Sequence, residues 1–155
     1  MIVEDETAAA VNLRNMLTSL IPDVEIVEVL ESVEESVEFF QGEVDADVVF
    51  MDIHLADGDS FRIFKSVDIT IPIIFTTAYD EYALRAFKVN SIDYILKPIK
   101  EDDLRHAIEK FSLLSGAIVE EDYNSRVKDV IEQTRSAKAE ATHNQQRDNQ
   151  RVYLV

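Results

Sequence analysis

The stretch Val48-Val49-Phe50-Met51-Asp52 decides how this chain reads. Four apolar residues in a row suit a buried parallel strand, and they run directly into a carboxylate. A turn-rich stretch, Leu55-Ala56-Asp57-Gly58-Asp59, follows at once. In an open α/β sheet, ligands bind outside the carboxyl ends of the strands, so Asp52 stands where chemistry is done. The first residues repeat the pattern, with Ile2-Val3 running straight into Glu4-Asp5-Glu6.

Outward from these two strands the pattern alternates. The spacing of Leu13, Leu17 and Leu20 predicts a helix capped by Thr7 and broken at Pro22-Asp23. Val24 to Leu30 alternates apolar residues with Glu25 and Glu28, as a half-covered second strand does. A second helix starts at Ser32, runs through Phe39-Phe40 and ends near Gly42. The third strand is read over Ala46 to Met51 and a third helix over Phe61 to Val67. Pro72 opens a fourth strand, Ile73 to Thr76, and Asp80 caps a fourth helix over Ala83, Ala86 and Phe87. Ser91 to Leu96 is a fifth strand, and Glu101-Asp102 lead a fifth helix through Leu104, Ala107, Ile108 and Phe111. Five strands alternating with five helices predict an α/β fold, a doubly wound parallel sheet with helices on both faces.

Past Leu114 the character changes. Ser115-Gly116 reads as a hinge, Tyr123 to Ala139 as a helix with Val127, Val130 and Ile131 on one side, and Thr142 to Gln150 as a polar linker. The last residues, Val152-Tyr153-Leu154-Val155, are strand-like with nothing to pair against, as if the chain were cut there. The expected organisation is a domain over 1–114, a helical extension and linker over 115–150, and the opening of another domain over 151–155.

At 155 residues the length suits about one domain, which buries roughly two thirds of its unfolded surface. There is no cysteine, hence no disulfide framework or thiolate metal site. No apolar run approaches the ~20 residues of a membrane helix, and the start does not resemble a signal peptide. The expected location is the cytoplasm. The net charge of −16 falls almost wholly before Glu120, where 24 acids face nine bases. Such a body repels a nucleic acid backbone, whose binding rests on Lys and Arg neutralising phosphates. For most of these acids a solvated helical surface is explanation enough.

Three carboxylates at neighbouring strand ends need something to offset their repulsion. Two unit charges ~4 Å apart cost on the order of 4 kcal/mol at an effective dielectric of about 20. A hard divalent cation removes that cost, and Mg²⁺ prefers oxygen ligands. Lys97, after the fifth strand, can add positive charge, and Thr77, after the fourth, can donate a hydroxyl to an oxyanion. This is the layout of phosphoryl transfer onto a nucleophilic carboxylate. Each element alone has a plainer reading: a strand-end Asp forms turns, Glu4-Asp5-Glu6 complement a helix amino end, and Tyr94 is ordinary core. Their placement on four strand ends carries the joint reading.

At these residues a resemblance enters. Ile2-Val3-Glu4-Asp5-Glu6, Phe50-Met51-Asp52-Ile53-His54-Leu55, Phe75-Thr76-Thr77-Ala78 and Tyr94-Ile95-Leu96-Lys97-Pro98 resemble the receiver domain of two-component response regulators. Thr76 to Phe87 is similar to regulators with a LytTR-type DNA-binding output, and Arg151 to Val155 would suit that output's first strand. The resemblance implies a flavodoxin-like sheet of order 2-1-3-4-5. It implies that Asp52 accepts a phosphoryl group from a sensor histidine kinase, and that Mg²⁺ is held by Asp5, Asp52 and the backbone carbonyl of His54, with Glu4 acting through water. Thr77 and Lys97 would bind the phosphoryl oxygens, Thr77 and Tyr94 would form the switch, and Pro98 would follow a cis bond. A face with Ala83, Ala86, Phe87, Lys100 and Arg105 would make a homodimer, and DNA would be reached only through an output domain absent from this chain.

Three positions depart from the family pattern: Glu4 stands for the commoner Asp, Ala56 for Pro, and Ser60 for Gly. The last two predict a looser approach to the third helix. His54 has no partner at metal-binding spacing, His106 and His143 lying far away, so its side chain is read as lining the rim. A phosphatase of the haloacid dehalogenase type also forms an aspartyl phosphate. It would place its nucleophile on an early strand with a second Asp two residues on, where this chain has His54. A phosphorylation-independent interaction module on the same fold is the other alternative. The chain is not read as an enzyme beyond slow autodephosphorylation.

Overall fold

The computed structural model describes residues 1–79 and 91–116. In chain order these form β1 (Ile2–Val3), α1 (Thr7–Leu20), β2 (Val29–Leu30), α2 (Val33–Phe40) and β3 (Val49–Asp52). A small hairpin, β4 (His54–Leu55) and β5 (Gly58–Asp59), leads to a 3-10 helix over Ser60–Lys65. Then come β6 (Ile73–Thr77), β7 (Ser91–Leu96) and a helix α3 over residues 101–116. The chain divides into two compact units, Met1–Ser112 and Leu113–Val155. The predicted fourth helix, with Asp80, Ala83, Ala86 and Phe87, lies outside the described residues. So do the predicted helix from Tyr123 to Ala139, the polar linker and the terminal strand-like residues.

The strands make one parallel sheet in the order β2-β1-β3-β6-β7. This is the predicted doubly wound arrangement, with strand order reversing between β1 and β3. Alternation along the strands sorts the core onto two faces. Ile2, Phe50, Ile74 and Ile95 pack with Ala10, Leu13 and Leu17 of α1 and with Leu104 and Ala107 of α3. Val3, Val49, Met51, Ile73 and Phe75 pack with Val33 and Phe40 of α2 and with Phe61 and Ile63 of the 3-10 helix. A register shift between Ile73 and Ile74 moves the pairing from Ser91 to Asp93, so Tyr94 comes opposite Phe75.

Several local expectations are corrected. The second strand is two residues long, because β1 offers only Ile2 and Val3 and their partners are Val29 and Leu30. The third strand starts at Val49, where its pairing with Ile73 starts, and extends to Asp52. Thr7 does not cap α1: it is the first helical residue, and Glu6 precedes it without a side-chain cap bond. Over Phe61 to Val67 the expected α-helix is a 3-10 turn instead. Side chains at i and i+3 stack in that geometry, and Phe61 and Phe64 both meet the Phe75 ring, at 5.2 and 6.3 Å. Ser115 and Gly116 are themselves helical, as the last described residues of α3, three residues past the division after Ser112.

Candidate functional site

The carboxyl ends of β1, β3, β6 and β7 bring the predicted residues together. Glu4 and Asp5 follow β1, Asp52 ends β3, Thr77 ends β6, and Lys97 follows β7. One carboxylate oxygen from each of Glu4, Asp5 and Asp52 lies within 4.8 Å of the others. Glu4, Asp52 and Thr77 are buried, while Asp5 is half-buried. Parallel pairing is the cause. Strands in register end at one level, so residues some fifty positions apart in the sequence meet.

Lys97 bridges the cluster. Its Nζ donates to Glu4 Oε2 at 2.6 Å and to Asp52 Oδ2 at 2.7 Å. The remaining oxygens are met by backbone: Glu6 N–H donates to Glu4 Oε1 at 3.0 Å, and His54 N–H to Asp52 Oδ1 at 3.2 Å. The Lys97 main chain is held by its N–H, which donates to the Thr77 carbonyl at 2.7 Å, and the Lys97-Pro98 bond is cis, as expected.

One ammonium among three carboxylates leaves the site short of positive charge, and the titration behaviour follows. Burial pushes the Glu4 carboxyl above the ordinary glutamate range. The Lys97 bond and the Glu6 N–H pull it back only in part, and the Asp52 charge adds to the rise. Burial acts to lower Lys97, but the hydrogen bonds and charges of Asp52 and Glu4 win, so the ammonium holds its proton more tightly than a free lysine. Three hard oxygen donors with surplus negative charge and no sulfur or imidazole atom among them fit Mg²⁺.

Around this cluster stand Thr77, His54 and Tyr94. The Thr77 hydroxyl accepts from Tyr79 N–H at 3.4 Å. The His54 ring is half-buried and meets the Tyr79 ring edge-on, at 4.9 Å between centroids. Tyr94 is half-buried against the core and donates its hydroxyl to the Tyr79 carbonyl. Lys100 and Arg105 are exposed, Arg105 pairing with Glu101 one helical turn away at 2.5 Å.

A match to the family described as the response regulator receiver domain covers residues 1–109. The chain belongs to that family. As a receiver domain of a two-component response regulator, it is 37% identical over 158 residues to the sensory transduction protein LytT of Enterococcus faecalis, covering all of this chain and 60% of that protein. The protein of the same name from Bacillus subtilis is 33% identical over 128 residues, 81% of this chain and 52% of that one. The chain thus spans about half to three fifths of the length of these relatives. Among solved structures, the response regulatory domain of protein mrkE from Klebsiella pneumoniae superposes with a TM-score of 0.64 at 28% identity, covering 73% of this receiver and 93% of that chain.

Two residues escaped the sequence reading. Tyr79 touches Thr77, His54 and Tyr94 at once; it stood within the stretch Thr76 to Phe87 but was given no role of its own. Asp57 was read as part of a turn, yet its carboxylate accepts from Val33 N–H at 2.8 Å and Glu34 N–H at 3.0 Å, the first two residues of α2. The Asp57-Gly58 pair is a hairpin signal, which flanking strands of only two residues obscured.

Proposed function

We propose that this receiver takes a phosphoryl group from a sensor histidine kinase onto Asp52 and uses the modified form to pair two copies of its parent regulator on DNA. The observation that carries the reading is the buried Asp52 carboxylate held between Lys97 Nζ and the His54 N–H at the meeting point of four strand ends. In the transfer, a carboxylate oxygen of Asp52 forms a bond to phosphorus while the P–N bond of the kinase's phosphohistidine breaks. The imidazole leaves with its electron pair. Asp5, Asp52 and the His54 carbonyl would hold Mg²⁺, with Glu4 holding it through water. When bound, the ion neutralises charge on the phosphoryl oxygens.

The chain's own residues do the rest. Lys97 exchanges one carboxylate partner for a phosphoryl oxygen, and the Thr77 hydroxyl turns to donate to another. The loop after Thr77 moves with it and carries the Tyr79 carbonyl to which Tyr94 is tied. The aromatic then follows, which biases a two-state surface. Its dimer face includes Ala83, Ala86, Phe87, Lys100 and Arg105. The same reading gives the parent regulator a DNA-binding output of the LytTR type and a cytoplasmic setting; the sensory transduction proteins LytT that it matches are longer than this chain, which covers 60% and 52% of two of them. Slow autodephosphorylation resets the switch.

The test is mass spectrometry after incubation with acetyl phosphate and Mg²⁺. A gain of ~80 Da that is absent in Asp52→Ala is expected; no adduct, or one that persists in the variant, overturns the reading. Sedimentation with and without beryllofluoride then tests the output. An unchanged dimerisation constant would reduce the domain to a phosphorylation-independent module.

A further inference from the structure

The loop after the phosphoacceptor is not a free turn. Asp52 is joined through Ile53 to the hairpin β4–β5, whose strands pair His54 with Asp59 and Leu55 with Gly58. At the root, Ser60 N–H donates to the Ile53 carbonyl at 2.8 Å, and Asp59 accepts from Phe61 N–H at 2.7 Å. At the tip, Asp57 places both carboxylate oxygens on the first two N–H groups of α2, from 24 and 23 residues away in the sequence. Arg62 closes the arrangement by donating to the Asp57 carbonyl at 3.2 Å. Gly58 has φ +147°, and a Cβ there would lie 2.7 Å from Arg62 Nη1. The tip is therefore fastened to a helix, and the root is fastened to Asp52 through the His54 N–H.

We propose that Asp57 is a positioning residue for the Mg²⁺ site, clamping the hairpin to α2 so that the His54 main chain keeps its place beside Asp52. This inference rests on the metal reading above. The position of His54 is over-determined only while both ends of the hairpin are held. Without the tip, residues 54–59 keep two pairs of β-contacts and the Arg62 bond, and the carbonyl of His54 samples a wider range. The other N-terminal donors of α2 do not depend on this clamp. Ser32 Oγ accepts from Glu35 N–H at 3.0 Å, and Glu35 accepts from Glu31 N–H at 2.7 Å. Ser32→Ala therefore weakens the same helix end without touching the hairpin.

The experiment is calorimetric titration of MgCl2 into the full chain, comparing the unmodified protein with Asp57→Ala, Asp57→Asn and Ser32→Ala. Supporting residues behind metal ligands are worth 10- to 100-fold in affinity, and Asp57 acts at the lower end. The expected result is a Kd about tenfold weaker in Asp57→Ala, a smaller loss in Asp57→Asn (which keeps one acceptor), and no change in Ser32→Ala. Equal Kd in Asp57→Ala and the unmodified chain overturns the inference and leaves the metal reading standing. Equal weakening in Asp57→Ala and Ser32→Ala also overturns it, since loss of helix stability would then be the cause. An unmodified chain that binds no Mg²⁺ removes both.

Discussion

Glu4 shows how one residue reports the charge imbalance of the site. Its carboxyl is raised by burial and by Asp52, so the folded chain favours the protonated form more than the unfolded chain does. The stability this contributes is present below the unfolded value of 4.5 and is lost as pH rises through the folded value. In metal-free buffer, Glu4→Gln should therefore gain stability relative to the unmodified chain as pH rises from the unfolded value of 4.5 through the higher folded value, read as a rising difference in urea midpoints. Mg²⁺ should shrink that difference. Lys97 makes the opposite prediction. Removing it strands two buried carboxylates, and Lys97→Ala should cost about 2 kcal/mol, less than the 3–5 typical of a fully buried pair because the lysine keeps some solvent contact. Added Mg²⁺ should recover part of the loss, whereas a simple packing defect would not respond to the ion. Ser60 is a third case. It is fully buried, and its hydroxyl has no hydrogen-bond partner among the described residues. Ser60→Ala should be neutral or stabilising by about 1 kcal/mol, measured by urea denaturation.

At the level of elements, α2 and the hairpin share one cap. Burial alone would raise the Asp57 carboxyl, but the N–H donations of Val33, Glu34 and its own backbone, with the Arg62 charge, together outweigh it and hold Asp57 below its ordinary value. A lowered carboxyl contributes stability that is present above the unfolded value of 3.8 and is lost as pH falls through the folded value. Asp57→Ala should cost about 1 kcal/mol at neutral pH, and the gap between the two proteins should close in acid below about pH 4. Gly58→Ala meets both a positive φ and the Arg62 side chain, for an expected cost of about 1–3 kcal/mol. The element-scale errors of the sequence reading share a cause. Val24 to Glu28 has strand-like alternation, but a ladder needs a partner, and the number of paired residues was set by β1. Phe61 to Val67 has helix-like spacing, but contact with Phe75 selected the tighter 3-10 turn.

Across the whole molecule, the sheet is what converts four separated motifs into one site. Leu104 is fully buried and packs α3 against Ile74 and Ile95, and Lys110 lies 3.7 Å from Asp93 of β7. Leu104→Ala should lower stability by about 2–5 kcal/mol in urea denaturation. Because Lys97 directly follows β7, the same substitution should also weaken the response of the melting temperature to Mg²⁺. Among the described residues no helix is long and apolar enough to cross a membrane.

The succession of the five sheet strands, the strand-end acids Glu4, Asp5 and Asp52, and the Thr77 and Lys97 positions were legible in the chain itself, whereas the β4–β5 hairpin read only as a turn. Hydrophobic period and abrupt polar breaks are local signals, and a parallel α/β sheet places strand ends by rule. Only the tertiary structure decided how many residues each strand pairs, that Asp57 caps a helix more than twenty residues away, and that Tyr79 joins His54, Thr77 and Tyr94. Those contacts depend on where separate segments meet in space, and no spacing within one segment encodes that.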